Sequence, residues 1–479
     1  MNAQTQDFDL ETIHNKGMEL FHITNTAYPL SPNSLMEYKI SGDGKIRDFI
    51  TNDIEQMNNL SLYLHVPFCK TRCKFCEYVV TSGEEAEMKD DYVKRLCKEI
   101  DMYAELAGNK EIVGFDIGGG TPTELSEQHL STLMERIHAG FNVKNIEAPS
   151  IETTPLNALN DTGKLRHIRQ LGFPRISMGM QTSNKALLGK MERDGGDSMY
   201  NRAVEQIRKA GFESLNLDLM YGFKEQSSGD FLDTVNNALS LAPEHITLYE
   251  MRYKFTKIAN DAKFVTKENL NNLYECAYNA LTEAGYAANY GKNTFSKVPG
   301  DYGTSSYLTE RVINATPYLG LGAGAQSFGQ NYLAYNSGAA TKSIKEYMAK
   351  IDGGTFPIQD IYDLPLEESM AKATSVMFYF GSINFNAFYK RFGVHPLKTF
   401  RKELEFLVSN ELMEIKGGSA VITKKGVKHM NGVIPMFYSK RSKNEMMNMK
   451  GLKLPSTNEK PAIETNYRIL AERLKCVRG

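Results

Sequence analysis

From residue 61 onward, short β-branched or apolar runs alternate with longer stretches of helical period. Six runs read as strands, at 61–66, 112–117, 149–152, 175–180, 214–220 and 245–251, and the intervals hold helices such as 84–106 and 198–210. Apolar residues take most strand positions, as in parallel strands covered on both faces. Repeated βα units with right-handed crossovers predict an α/β fold, closed as a full or partial barrel or opened as a doubly wound sheet. Either way, chemistry gathers at the carboxyl ends of the strands. Cys69, Gly118 to Thr121, Glu152, Gln181 and Asp218 all fall at or just past predicted strand ends.

The flanking segments read differently. Residues 1–60 show little periodicity and contain YPLSPN at 28–33, which predicts an extended, turn-rich arm able to act as a lid or leader. After the βα core over 61–285, residues 286–365 form Gly, Ser, Asn and Tyr-rich connections expected to close the active site. Within them YLGLGAGAQSF at 318–328 is a glycine-dense turn, where backbone closely approaches either a ligand or another part of the chain. Residues 366–435 predict three helices and then a hairpin over 412–423 turning at Gly417-Gly418, a winged-helix-like α+β outline. That segment has no strong basic run, which favours a structural or lid role over DNA binding. Residues 436–479 are a basic tail, with ten Lys or Arg against four Glu over 440–479, expected to be a solvated and partly helical extension.

Composition narrows the function classes. The 479 residues, 41% hydrophobic and 10% aromatic, are enough for two or three packed units. Fifty-six basic residues stand against 57 acidic ones, a net charge of -1 that gives no reason to expect a nucleic acid or an anionic membrane surface. No apolar run approaches the roughly 20 residues of a membrane span, and the N-terminus has neither a cationic nor an apolar leader region, so a cytoplasmic protein is expected. Of six cysteines, Cys97, Cys276 and Cys476 are scattered while three crowd into eight positions, which suggests a metal rather than a disulfide framework.

That crowded segment is HVPFCKTRCKFCEY at 65–78, in which Cys69, Cys73 and Cys76 sit on a loop directly after a predicted strand. Three thiolates from one loop can take three corners of an iron-sulfur cube, leaving the fourth iron open and reactive. Structural zinc is the rival. It normally wants four closed ligands in two pairs, and no second Cys or Cys/His pair follows, while His65 could serve only if the strand end folded back. Glycines 118–120 with Thr121 can bring backbone N–H groups against a carboxylate, Glu152 and Asp218 can accept from hydroxyls or ammonium, Gln181 can donate and accept, and Arg193 can clamp a carboxylate. A helix cap in a βα loop is the other reading for Glu152 or Asp218.

The CxxxCxxC spacing with Phe75 before its last Cys resembles the radical S-adenosylmethionine (SAM) superfamily, and YLHVPF at 63–68 looks like its oxygen-independent coproporphyrinogen III oxidase-like (HemN-type) family. The resemblance continues through GGGTPT at 118–123, IETTP at 151–155, GFPRISMGMQ at 172–181, NLDLMYG at 216–222 and GAGAQS at 322–327. It implies a partial (βα)6 TIM-like barrel with a [4Fe-4S] cluster on Cys69, Cys73 and Cys76. It also implies one or two SAM molecules contacted by Tyr63, Phe75, Gly119, Gly120, Thr121, Glu152, Gln181, Arg193 and Asp218. The substrate implied is a small molecule, a porphyrin or other tetrapyrrole, and the partner a flavodoxin- or ferredoxin-type electron donor. Oxidases of this type usually carry a further Cys two residues after the third, where this chain has Glu77-Tyr78. Three activities therefore stand open: a coproporphyrinogen III oxidase-like oxidoreductase, a class C-type radical SAM methyltransferase including anaerobic haem degradation, and a non-catalytic haem chaperone.

Overall fold

The structure, a computed structural model, describes residues 7–24, 26–144 and 146–450. Six strands form its central frame: β1 (Asn59–Val66), β2 (Glu111–Gly119), β3 (Ser150–Thr153), β4 (Arg175–Gln181), β5 (Ser214–Tyr221) and β6 (His245–Glu250). They pair in chain order, each parallel to the next, with helices such as Ala86–Ala107 and Asp197–Lys209 between them. β7 (Thr294–Ser296) lies antiparallel on β6. β8 (Tyr318–Leu321), β9 (Gln326–Phe328), β10 (Tyr332–Asn336) and β11 (Ile358–Asp363) continue from the other side of β1, β8 parallel and the rest antiparallel. The eleven strands form one sheet with two edges, a partial barrel.

The two faces of this sheet differ more than the strand sequences suggest. Leu60, Leu62, Leu64 and Val66 of β1 are fully buried on the helical side, so the period of two turns Ser61, Tyr63 and His65 to the other face. Register carries that inner row around the barrel: Tyr63 beside Asp116, Asp116 beside Ser150, Ser150 beside Arg175 and Arg175 beside Ser214. Nearer the carboxyl ends, Glu152 neighbours Ser177 and Ser177 neighbours Asn216, while Gly179 neighbours Asp218 and Asp218 neighbours Thr247. The lumen is thus polar, and the apolar runs cover the helical face only. This register also puts Asp218 in the middle of β5, not at the strand end expected for it.

The described residues among the first 60 are not an extended arm. They contain helices Leu10–Glu19 and Asp43–Glu55 and a 3-10 turn Pro32–Tyr38. Asp9 caps the first helix by accepting from Thr12 N at 2.8 Å. Only Ile13 and Gly17 within that helix are buried, so its apolar periodicity is weak in sequence. Ile13, Leu20, Tyr28 and Leu30 bury instead into the C-terminal apolar cluster with Phe388, Leu407 and Phe437. The Tyr28 hydroxyl donates to the Glu368 carboxylate and meets Ser442 Oγ at 2.9 Å.

The C-terminal unit has helices Leu366–Met377, Phe385–Phe392 and Arg401–Ser409, with strands β12 (Ser382–Asn384), β13 (Met413–Lys416) and β14 (Ser419–Ile422) ordered β12-β14-β13. Gly417 and Gly418 have φ of 56° and 74°, the pair of left-handed residues a two-residue hairpin turn requires. This is the winged-helix-like domain. The tail is helical over Lys440–Asn448; the rest of it from 451, with Cys476, lies outside the described residues, as do residues 1–6 and Asn25. Among the described residues no helix is long and apolar enough to cross a membrane.

Candidate active site

The cysteine loop leaves β1 at Val66 and is pinched shut by a two-residue parallel ladder, Phe68 beside Thr81 and Cys69 beside Ser82. Three backbone bonds tie its base down: Thr81 N to Pro67 O at 2.7 Å, Gly120 N to Val66 O at 2.8 Å and Thr121 N to Phe68 O at 2.7 Å. A Cβ on Gly120 would stand 2.7 Å from the Phe68 carbonyl oxygen, so the close approach depends on glycine. Farther out, Lys74 N donates to Met191 O and Lys257 N to Lys74 O, both at 3.0 Å. His65 is not a metal ligand in this arrangement. Its Nε2 meets the Val79 carbonyl at 2.8 Å, and burial lowers its pKa to about 4, so the ring is neutral and donates to that end of the loop. The glycine-dense turn at 318–328 packs chain on chain beneath the same strand end, where a Cβ on Gly322 would stand 2.5 Å from the His65 carbonyl oxygen.

Cys69, Cys73 and Cys76 share the wall of a cavity of about 220 Å³ with Phe75, Gly119, Gly120, Thr121, Glu152, Gln181, Arg193 and Asp218. Of the cofactor contacts expected from sequence, only Tyr63 is absent from this wall. Its ring stacks on Tyr307 at 5.5 Å, because position 63 lies deeper on the inner face of β1. Among the described residues no three or more His, Cys, Asp or Glu side chains converge closely enough for a lone metal ion. Burial pushes the Cys69 thiol up to about 12, opposed by the Thr121 hydroxyl 3.3 Å away, and burial raises Cys76 too. Such thiols become thiolates when a metal replaces the proton.

The opposite wall is built by β3, β4 and β5. Glu152 accepts from Gly119 N at 3.1 Å, and its carboxyl is raised to about 8 by burial in the cleft and by the charge of Asp218. Asp218 is raised to about 6 by burial, opposed by Ser177 Oγ at 3.0 Å and Asn216 Nδ2 at 2.7 Å. Two carboxyl groups so placed favour a ligand with an ammonium, a sulfonium or several hydroxyls. Gln181 ends β4 at φ 66°, just past the residue where pairing with β5 slips, and its buried Oε1 has no hydrogen-bond partner. Such strain is worth noting at a cavity wall. Arg193 donates from Nη1 to Cys73 Sγ at 3.4 Å and from Nη2 to the Gly179 carbonyl, and its Nε is likewise buried without a partner.

Several wall residues escaped the sequence reading. A Cβ on Gly179 would stand 2.6 Å from Gln181 Nε2 and 2.9 Å from Arg193 Nη2, so this glycine makes room for both. Ser177, Tyr249 and Arg252 also line the cavity, and Asp116 and Arg175 line a smaller one that shares Glu152, Ser177, Asp218 and Tyr249 with it. The available signal was polar alternation inside otherwise apolar strands: Arg175, Ser177 and Gly179 on β4, and Asn216 and Asp218 on β5.

A cluster and SAM fit these residues. Three thiols on one loop, an unpartnered guanidinium Nε, an unpartnered amide oxygen and two buried carboxyls match three iron ligands, an amino-carboxylate, a sulfonium and a ribose diol. Comparison with known proteins agrees. Residues 63–238 match the family model described as the radical SAM superfamily. The chain is 26% identical over 453 residues to the oxygen-independent coproporphyrinogen III oxidase of Salmonella typhimurium, covering 89% of this chain and 94% of that one. It is 28% identical over 271 residues to the heme chaperone HemW of Escherichia coli, covering 56% and 69%. The structure of Escherichia coli coproporphyrinogen III oxidase (HemN), titled a radical SAM enzyme, shares the fold at a TM-score of 0.70 and 22% identity, over 91% of this chain and 99% of that one. With its cysteine loop, its glycine-edged β2 and its polar lumen accounted for, the chain carries a radical SAM superfamily match over residues 63–238 and is similar over most of its length to HemN-type, coproporphyrinogen III oxidase-like proteins.

Proposed function

We propose that this protein is a radical SAM oxidoreductase acting on a tetrapyrrole side chain. The observation that carries the reading is the convergence of Cys69, Cys73 and Cys76 with Glu152, Gln181, Arg193 and Asp218 on one cavity at the carboxyl ends of parallel strands. A [4Fe-4S] cluster held by Cys69, Cys73 and Cys76 would supply the electron for reductive cleavage of SAM, and with it radical hydrogen abstraction from the substrate. The chain's own part is to bind, orient and exclude water. The three thiols would hold three irons, the Arg193 guanidinium, whose Nε has no hydrogen-bond partner, would meet the SAM carboxylate, and Glu152 and Asp218 would accept from its hydroxyls or ammonium. Phe75 closes the wall, 6.0 Å from Phe223 edge to face. The electron comes from a flavodoxin- or ferredoxin-type donor.

A second reading, a methyltransferase that spends one SAM as radical source and another as carbon donor, rests on one observation that counts against the oxidase and is shared with a haem chaperone. Glu77-Tyr78 follows Cys76, and Glu77 and Tyr78 line the cavity. Anaerobically reconstituted protein incubated with SAM, a reductant and either coproporphyrinogen III or haem separates the readings by product mass. Decarboxylated product supports the oxidase, methylated or ring-opened product the methyltransferase, and bound but unchanged haem a chaperone.

A further inference from the structure

Four cations gather near Glu77, beside the cysteine loop, and two of them line the cavity. Arg72 lies on the cysteine loop, Arg252 and Lys254 follow β6, and Lys342 follows β10. Glu77 is ion-paired with Arg252, and both line the cavity with Arg72, whose Nε is buried without a hydrogen-bond partner. Lys254 donates to the Leu30 carbonyl of the N-terminal segment at 3.3 Å. The ammonium groups of Lys254 and Lys342 lie 5.1 and 5.6 Å from the centre of one ring, that of Phe255, which is 46% exposed. Burial lowers the pKa of both lysines, and Glu77 is the acid that counters it most in each. Among the described residues Arg252 alone of the four has an acid within ion-pair distance. Four cations against Glu77 and Glu445, the acid that also acts on Lys254, leave a surplus of two positive charges beside an exposed aromatic ring.

Like charges gathered in a concave, partly desolvated place repel one another, and an anionic ligand relieves the repulsion. We propose that Arg72, Arg252, Lys254 and Lys342 form a carboxylate-recognition ring for a flat substrate bearing two or more carboxylates. Its apolar face rests on Phe255, and Glu77 stands in the free protein where one substrate carboxylate binds. The ring rests on the tetrapyrrole reading above and adds which residues select the substrate. Arg252 and Arg72 reach the carboxylates nearest the cysteines, and the two lysines reach those at the rim.

The test uses the full chain, anaerobically reconstituted, with a porphyrin tetracarboxylate and its tetramethyl ester as fluorescent probes. The acid is expected to bind at least about tenfold more tightly than the ester. The Lys254→Glu, Lys342→Glu double variant is expected to lose at least about tenfold in acid affinity while ester binding stays unchanged. Acid binding by the unsubstituted chain should also weaken with added salt more steeply than that of the variant. Iron content per chain reports folding of the variant. A chain that holds no iron but shows this pattern would overturn the cluster and leave the ring standing. Equal binding of acid and ester, equal acid binding by the two proteins, no binding at all, or an effect confined to reduction by an acidic donor protein would each overturn the ring.

Discussion

Arg193 Nη1 donates to the sulfur of Cys73 at 3.4 Å, joining the segment after β4 to the cysteine loop after β1. The same guanidinium donates to the Gly179 carbonyl and lies 6.0 Å from the centre of the Phe75 ring. These bonds fix the plane of the guanidinium, and its Nε is buried without a partner.

Replacing Arg193 by lysine keeps a charge but loses the planar fork. We expect Arg193→Lys to retain its iron and to bind SAM about tenfold to a hundredfold more weakly, the span of roughly 1.5–3 kcal/mol for a charge-assisted hydrogen bond. Equilibrium dialysis with SAM under anaerobic conditions checks it. Unchanged affinity would remove Arg193 from the SAM contacts.

Cys73→Ala should lose its iron while keeping its far-ultraviolet circular dichroism, because the loop base is held by backbone bonds at Pro67, Val66 and Phe68 that do not involve the thiol. Full iron content after this substitution would show that Cys73 is not a ligand.

Gly120→Ala places a methyl group 2.7 Å from the Phe68 carbonyl oxygen, which is backbone and yields little. We expect a loss of about 1–3 kcal/mol in stability together with weakened iron retention. Gly189→Ala, with nothing within 4 Å of its added Cβ, is the control and should leave iron retention unchanged. Thermal unfolding and iron analysis of the pair decide it.

Glu152 is raised by burial from the ordinary glutamate value of 4.5 to about 8. Between those values the folded chain holds a proton that the unfolded chain has lost. The contribution is complete below about 4.5 and disappears as pH rises through about 8. Glu152→Gln should therefore raise the melting temperature of the cofactor-free chain at pH 8.5 and do little at pH 4. For the same reason a cationic ligand such as SAM should release a proton on binding near neutral pH. Calorimetry in two buffers of different ionisation enthalpy measures that release, and its absence would place the ligand away from Glu152.

All six barrel strands were legible because each is a local run, and all six form within two residues of the boundaries read from the chain. The hairpin at Gly417-Gly418 was legible for the same reason, since consecutive glycines permit two positive φ values. The helix Leu10–Glu19 was not, because its buried face is completed by Phe388, Leu407 and Phe437 from the other end of the chain. Asp218 could be picked out but not positioned. Only the pairing of Gly179 with Asp218 shows that it enters the cavity from mid-strand.

The sequence by itself determined the βα order, the cysteine spacing and the candidates that line the cavity, since each is written within a few consecutive residues. Tertiary structure alone decided which polar residues face inward together. It set the row from Tyr63 through Asp116 and Ser150 to Arg175, kept Tyr63 behind Tyr307, and brought Arg252, Lys254 and Lys342 around Glu77 from three separate segments. Strand register and loop closure depend on partners far apart in the chain, and no local periodicity encodes the distance between them.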